Sequence, residues 1–133
     1  MEITVSYALL TIVAAIISGV AGVVISTVYY RRYEKLKVKT ETAKRLIANR
    51  YDLTGEEFTR ALNEVFIIFH DSKPVINALA EFHNVITTRQ TSLSNDKLVK
   101  LFKEICKNVN IDYAAFNDSF FLQPFNTKPN SMA

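Results

Sequence analysis

Hydrophobic residues fill the beginning of the chain without interruption. No Asp, Glu, Lys or Arg occurs between Ile3 and Tyr30, a run of 28 residues. As an α-helix this run would be about 42 Å long, which exceeds the hydrocarbon core of a bilayer, about 30 Å thick. Tyr29 and Tyr30 close the run, where interfacial aromatic residues are expected. The pattern predicts that residues 1–30 are a transmembrane anchor.

Two other interpretations of this run fit less well. A signal peptide starts with basic residues and has an apolar core of about 7–15 residues. Here the run is longer than that, and the only charged residue before it is Glu2. A core helix of a soluble protein is rarely apolar on every face over such a length. We therefore adopt the interpretation of a spanning helix.

The polarity of the chain changes abruptly at Arg31. Residues 31–50 contain eight Lys or Arg and two Glu, with neither Pro nor Gly. This composition predicts that the helix continues as a basic juxtamembrane helix over residues 31–50. Basic residues beside a span stay on the cytoplasmic side of the membrane. We therefore expect a single-pass protein of the plasma (bacterial inner) membrane, with its N-terminus outside and residues 31–133 in the cytoplasm.

The basic residues nearest the span are expected to lie at the membrane surface. Anionic lipid headgroups attract each such Lys or Arg by about 1 kcal/mol. The predicted membrane-contacting residues are Arg31, Arg32, Lys35, Lys37 and Lys39. Nucleic acid is not an expected partner, because residues 51–133 carry eight basic and ten acidic residues and do not interleave basic with aromatic positions.

Three amphipathic patterns in residues 51–125 predict a small cytoplasmic helical bundle, and the predicted fold class is all-α. The predicted helix starts are a capping box of Thr54 with Glu57, an N-cap at Asp71 or Ser72 followed by Pro74, and an N-cap at Ser94 after a polar loop. The apolar positions are Phe58, Ala61, Leu62, Val65, Phe66 and Phe69, then Val75, Ile76, Leu79, Phe82, His83 and Ile86, then Leu98, Leu101, Phe102, Ile105, Cys106 and Val109.

The C-terminal part of the chain is rich in aromatic residues. We predict that residues 119–125 form an irregular, extended segment packed over the bundle, and that residues 126–133 are a disordered tail. Phe120, Phe121 and Phe125 either fill the core or form a docking patch for a partner or for another copy. Both interpretations of these three side chains stay open.

Short patterns in the bundle carry a resemblance to a known family. They are Leu53-Thr54, Ala61-Leu62-Asn63 with Val65, Phe69, Val75-Ile76-x-Ala78, Leu98-Val99-x-Leu101-Phe102 and Ile111-Asp112-Tyr113. Together they resemble a family of uncharacterised bacterial and phage proteins that join an N-terminal membrane anchor to a small cytoplasmic helical domain. The resemblance covers residues 45–125 and departs from the family in lacking a Trp before the third helix. It implies this architecture and implies no activity or cofactor.

Small residues recur at every fourth position of the predicted span, at Ala14, Ser18, Gly22 and Ser26. This spacing places them along one side of a helix, where small side chains allow a second backbone to approach closely. We predict a homotypic helix–helix interface at these residues. The alternative is that small residues are simply common in membrane spans.

The sequence contains few groups suited to catalysis. His70 and Asp71 are neighbours at a predicted helix end, where adjacent side chains seldom face each other. His83 and Cys106 lie singly on apolar faces, and two His with one Cys are too few for a typical structural metal site. We therefore predict that the protein is not an enzyme and holds no metal or cofactor.

The sequence as a whole favours a membrane-anchored interaction protein. We expect it to be a homo-oligomer whose cytoplasmic domain binds itself or an unidentified protein partner. By analogy alone, it would be a membrane component of a bacterial or phage defence or exclusion system. The alternatives are an oligomeric pore-forming effector, which would cause ion leakage, and a membrane-tethered enzyme, which would need a polar cluster assembled by the fold.

Replacing Ser18 and Gly22 by Leu should disrupt pairing of the span, because larger side chains keep two helices apart. Light scattering of the full chain in detergent or nanodiscs measures the oligomeric state, beside a fragment that starts at Thr40. An oligomeric full chain with a monomeric fragment is the expected result. Monomers in both samples would contradict self-association.

Overall fold

A computed structural model describes residues 1–125 of the chain. The described residues form five α-helices and no strand, which confirms the predicted all-α class. The helices are α1 (Glu2–Ala48), α2 (Glu56–Ile68), α3 (Lys73–Thr87), α4 (Thr91–Asn108) and α5 (Asp118–Leu122). The predicted disorder of residues 126–133 lies outside the described residues.

Helix α1 runs without a break from the apolar residues into the basic ones. It ends at Ala48, two residues before the predicted end of the juxtamembrane helix. The chain divides into two compact units, Met1–Lys37 and Val38–Ala133. The last turns of α1 therefore belong to the second unit. We call the described part of that unit, residues 38–125, the helical domain.

Helix α4 supplies much of the core of the helical domain. α3 packs most extensively against α4, α5 also packs against α4, and α2 contacts α3 only lightly. The largest fully buried side chains are Leu46, Val65, Phe69, Val75, Leu98, Leu101, Phe102 and Ile105. Most of the predicted apolar positions are thus confirmed as core. The exceptions are Phe66, His83 and Ile86, which are exposed, and Ile76, which is half-buried outside the core cluster.

The predicted capping box at the start of α2 does not form. The N-cap residue is Gly55, and it makes no side-chain capping bond. Thr54 lies one residue too early to cap α2, and its hydroxyl donates to the Asp52 carboxylate at 3.1 Å instead. Ser72 is the N-cap of α3, as predicted, although its side chain makes no capping hydrogen bond.

The predicted loop before α4 is a tight turn, and Ser94 lies inside the helix rather than at its cap. Arg89 adopts a left-handed backbone conformation with φ of 58°. The Gln90 N–H then donates to the Val85 carbonyl at 3.0 Å, which is the bonding pattern that usually ends a helix at a glycine. Because the turn is this short, α4 begins at Thr91.

The segment that we predicted to be extended contains a short helix, α5. The Asn117 side chain accepts a hydrogen bond from the Phe120 N–H at 3.2 Å and so caps this helix. Gln123 returns to extended backbone after the single turn. The prediction of an irregular segment over 119–125 was therefore wrong for its first four residues.

A charged side chain is enclosed where α1 meets the turn between α2 and α3. Lys39 is only 8% exposed. Its ammonium group lies 2.7 Å from the Asp71 carboxylate and 5.6 Å from the centre of the Phe69 ring. An enclosed ammonium group is costly unless it is paired and hydrogen-bonded. The ion pair therefore ties α1 to the turn that precedes α3.

Substituting Asp71→Asn should destabilise the helical domain by about 1–3 kcal/mol, because it leaves the enclosed Lys39 ammonium without its counter-charge. Glu56→Gln is the matched control, since it removes the exposed Glu56–Arg60 pair, which should be worth less than about 1 kcal/mol. Thermal unfolding of the full chain in detergent, followed by circular dichroism, measures both. Equal losses in the two variants would contradict a structural role for the enclosed pair.

Candidate membrane anchor and interaction surface

The apolar run of α1 is exposed along its entire length. Among the described helices, α1 is the one that is long and apolar enough to span a membrane, and 0% of its most apolar window is buried by protein. Large side chains such as Val23 and Ile25 are mostly exposed. A helix that is apolar on every face needs an apolar medium around it. This segment is long and apolar enough to span a membrane, and the described structure does not bury it as a core helix.

The four small residues of the predicted interface all lie exposed on this helix. Each step of four residues turns by about 40° around a helix, so the stripe turns by about 120° between Ala14 and Ser26. Nearest pairs such as Ser18 and Gly22 share a direction most closely. No atom lies within 4 Å of the position that a Cβ would take at Gly22. The surface is open to a second helix, and self-association stays a prediction.

The structure separates the predicted membrane-contacting residues into two groups. Arg31, Arg32, Lys35 and Lys37 are exposed on α1. Lys39 is enclosed in the helical domain and paired with Asp71. The structure thus corrects the assignment of Lys39, whose side chain contributes to packing rather than to a surface available for headgroups.

Phe121 is the second corrected residue of the prediction. It is buried, and its ring lies 6.1 Å from the ring of Phe102 and 6.0 Å from that of Tyr113, measured between centres. Among the three aromatic residues considered for docking, Phe121 therefore belongs to the core. This agrees with the core-filling alternative.

Phe120 and Phe125 remain on the surface. Phe120 is half-buried, stacks on Phe116 with 4.1 Å between ring centres, and carries the Arg50 guanidinium above its ring at 4.9 Å. The Arg50 Nε also donates to the Phe120 carbonyl at 3.2 Å. Phe125 is 85% exposed. Phe120 is thus held in place by internal contacts, whereas Phe125 offers most of its ring to solvent.

A groove lies between α2 and α3. We call it the α2–α3 groove, and its volume is about 540 Å³. Its lining is mainly apolar and consists of Leu62, Asn63, Phe66, Ile76, Leu79, Ala80, Phe82, His83 and Ile86. Phe66 is 63% exposed and Ile86 is 53% exposed. Leaving such a side chain in water costs about 1.5–3 kcal/mol relative to burying it.

This groove was not predicted, although the apolar positions of α3 contain a signal for it. In α3, the residues Val75, Ala78, Phe82 and Val85 face the core. Ile76, Leu79, His83 and Ile86 form a second stripe one position further round, so the apolar arc of α3 is wider than one neighbouring helix can cover. The predicted buried side of α3 combined Val75 and Phe82 with this second stripe and left out Val85. The light contact between α2 and α3 leaves most of the second stripe at the groove.

The fold does not bring the candidate chemical groups together. His70 is exposed, with its Nδ1 2.8 Å from the Ile67 carbonyl oxygen, whereas Asp71 pairs with Lys39. Burial raises the pKa of the Cys106 thiol, which disfavours the reactive thiolate. Within residues 1–125, no group of three His, Cys, Asp or Glu residues is placed to hold a metal ion. That the protein is not an enzyme stays a prediction.

These features define a small all-α protein with one helix long and apolar enough to span a membrane. The chain belongs to the family of unknown function DUF6680, whose profile matches residues 1–118. The match includes the apolar part of α1 as well as α2, α3 and α4. Membership of a family without an assigned function was expected from the resemblance, whereas a bacterial or phage origin stays a prediction. Comparisons with curated proteins and with solved structures gave no match.

The exposure of Phe66 predicts that it contributes little to the stability of the domain. Phe66→Ala should change the free energy of unfolding by less than about 0.5 kcal/mol. Phe102→Ala, the matched control in the core, should cost about 3–5 kcal/mol. Urea unfolding of the two full-length variants in detergent compares them. A loss at Phe66 as large as that at Phe102 would show that Phe66 belongs to the core.

Proposed function

We propose that the protein is a single-pass membrane-anchored interaction protein. Residues 1–30 hold it in the membrane, and its helical domain binds another protein surface on the cytoplasmic side. The observation that carries this proposal is the exposed, charge-free run of α1, which ends directly at two Arg residues.

The length and surface of the run support an anchor. Its 28 residues satisfy their backbone hydrogen bonds within one helix, which is a condition for crossing the hydrocarbon core. Two hydroxyl side chains of the run bond to carbonyls of the preceding turn, and Thr4 is one of them, with its hydroxyl donating to the Met1 carbonyl at 2.8 Å. Thr11 is the other, with its hydroxyl donating to the Tyr7 carbonyl at 2.8 Å.

The distribution of charge supports the orientation. Eight basic residues follow the run within residues 31–50, and the charged side chain in front of it is that of Glu2. An excess of Lys and Arg within about 15–20 residues of a span is retained on the cytoplasmic side. The exposed Arg31, Arg32, Lys35 and Lys37 are also suited to anionic headgroups.

The open apolar surface of the helical domain supports an interaction role. The α2–α3 groove and Phe66 expose contiguous apolar area that the domain does not use for its own core. Large exposed apolar patches on small domains commonly mark binding surfaces. A defence or exclusion system of a bacterium or phage is one setting for such an anchored module, and this setting rests on the family resemblance alone.

Bacterial membranes that contain the full chain should retain it after extraction with alkaline carbonate, because a spanning helix resists that treatment. The orientation is read with a membrane-impermeant maleimide on spheroplasts that carry Glu2→Cys or, as the matched control, Lys107→Cys. Both positions are exposed, and the native Cys106 is buried.

We expect the maleimide to label Glu2→Cys in intact spheroplasts and to label Lys107→Cys only after lysis. Release of the protein by carbonate would contradict the anchor. The opposite labelling pattern would contradict the orientation while leaving the anchor in place.

A further inference from the structure

We propose that the surface of α4 beneath α5 is a binding site for a short peptide with an acidic residue and two adjacent aromatic residues, and that α5 is the chain's own, displaceable occupant of this site. We call residues 117–125 the C-terminal strap. The inference rests on the proposed interaction role of the helical domain, and it names the chemistry of a partner. All of its residues lie in the helical domain, so it is independent of the anchor.

The strap inserts one side chain between aromatic neighbours. Phe121 is the buried residue of α5, with 2% of its surface exposed. Its ring centre lies 6.1 Å from that of Phe102 on α4 and 6.0 Å from that of Tyr113. We call the surface formed by Phe102 and Tyr113 the aromatic slot. Aromatic side chains that fill desolvated pockets usually supply much of the binding energy of an interface.

Two basic side chains beside the aromatic slot select the rest of the peptide. The Lys103 ammonium lies 2.6 Å from the Asp118 carboxylate. The Arg50 guanidinium lies 4.9 Å from the centre of the Phe120 ring, and its Nε donates to the Phe120 carbonyl at 3.2 Å. The site therefore fits an acidic residue three positions before the inserted Phe and an aromatic residue directly before it. Charge complementarity of this kind fixes the register of a bound segment.

The hydrogen bonds that shape the strap lie within the strap itself. The Asn117 side chain accepts from the Phe120 N–H at 3.2 Å and from the Ser119 hydroxyl at 2.6 Å. The Gln123 N–H donates to the Ser119 carbonyl at 2.8 Å. Because both partners of each bond move together, these bonds can persist when the strap leaves the slot. Displacement then breaks the contacts of Phe121 and those to the two basic side chains.

The attachment of the strap to the domain is small. α5 has five residues, which is too short for a helix that is stable by itself, and it packs less extensively on α4 than α3 does. In the Lys103–Asp118 pair the side chains are 33% and 64% exposed, and exposed ion pairs add little stability. Segments with few buried contacts open locally while the rest of a domain stays folded.

The segment before the strap allows it to move without unwinding α4. Asn110 has a left-handed backbone with φ of 59°, and the Ile111 N–H donates to the Cys106 carbonyl at 2.9 Å. These features end α4 before the strap begins. Residues 111–116 lie between α4 and α5 and are exposed except for Tyr113. The end of α4 is therefore closed by its own bonds and not by the strap.

Binding of a fluorescein-labelled peptide with the sequence of residues 116–125 tests the proposal. The peptide is titrated against the full chain in nanodiscs, and fluorescence anisotropy measures binding. The three receptors are the wild type, Phe121→Ala, which empties the slot, and Asn117→Ala, which removes the cap of α5 and leaves the core intact. The matched control peptide carries Phe121→Ala, and circular dichroism checks that each receptor is folded.

We expect saturable binding to all three receptors and none of the control peptide. The Phe121→Ala receptor should bind at least about tenfold more tightly than the wild type, because the resident strap competes for the slot and lowers the fraction of open sites. Asn117→Ala should bind about fivefold more tightly, the effect of a lost helix cap. Adding Lys103→Glu to the Phe121→Ala receptor should weaken binding about fivefold, and a peptide with Asp118→Lys should restore it.

Binding to the two variants without any binding to the wild type would overturn displacement, since α5 would then be a permanent part of the core. Equal affinities of the three receptors, binding of the control peptide, or no effect of Lys103→Glu would overturn the site. If Phe121→Ala does not fold, the comparison of Asn117→Ala with the wild type still decides. Carbonate extraction tests the anchor separately, so a failure of peptide binding leaves the anchor in place.

Discussion

Between Ile3 and Tyr30 the chain exposes sixteen large apolar or aromatic side chains that no other part of the described structure covers. In water this surface would cost on the order of tens of kcal/mol, which exceeds the usual stability of a small domain, about 5–15 kcal/mol. A bilayer removes the cost, provided that the backbone satisfies its own hydrogen bonds. An unbroken helix and a basic segment directly after the apolar run are the features that this constraint demands.

A second constraint applies to the helical domain, in which short helices must bury the apolar side chains of the core against one another. α4 meets this constraint by packing against both α3 and α5. Lys39 places an ammonium group in the enclosed region, and its ion pair with Asp71 at 2.7 Å offsets the cost of removing that charge from water. The α2–α3 groove is the surface that the packing leaves open. The domain thus encloses a charge on one side while it exposes Phe66 on another.

The sequence was most informative where hydrophobic periodicity alone decides the structure. The apolar run of α1 followed from its lack of charged residues, and most core positions of α2, α3 and α4 followed from periodicity. Lys39 was misassigned because its place near the basic run suggested a surface residue, whereas its partner Asp71 is 32 positions away in the chain. Phe66 was misassigned because a helical pattern does not reveal which apolar stripe has a neighbour.

Local signals failed where a residue occupies an unusual conformation or where a short helix forms. Arg89 has the left-handed backbone that normally favours Gly. Because the sequence has no Gly at this position, the turn was not recognised, and the start of α4 was predicted at Ser94 instead of Thr91. The single turn of α5 depends on the cap by Asn117 and on burial of Phe121 against Phe102. The sequence left the burial of Phe121 open between core filling and docking, because the choice depends on contacts between helices that are distant in the sequence.

The central claim is that α1 crosses a bilayer, and spin labels at Leu10, Ile17 and Val24 in nanodiscs test it most directly. Oxygen concentrates in the middle of the hydrocarbon core, whereas a charged nickel chelate stays in water. If the claim holds, accessibility to oxygen is highest and accessibility to nickel lowest at Ile17, with lower oxygen and higher nickel accessibility at the other two positions. Nickel accessibility that is equally high at all three positions would contradict a membrane span.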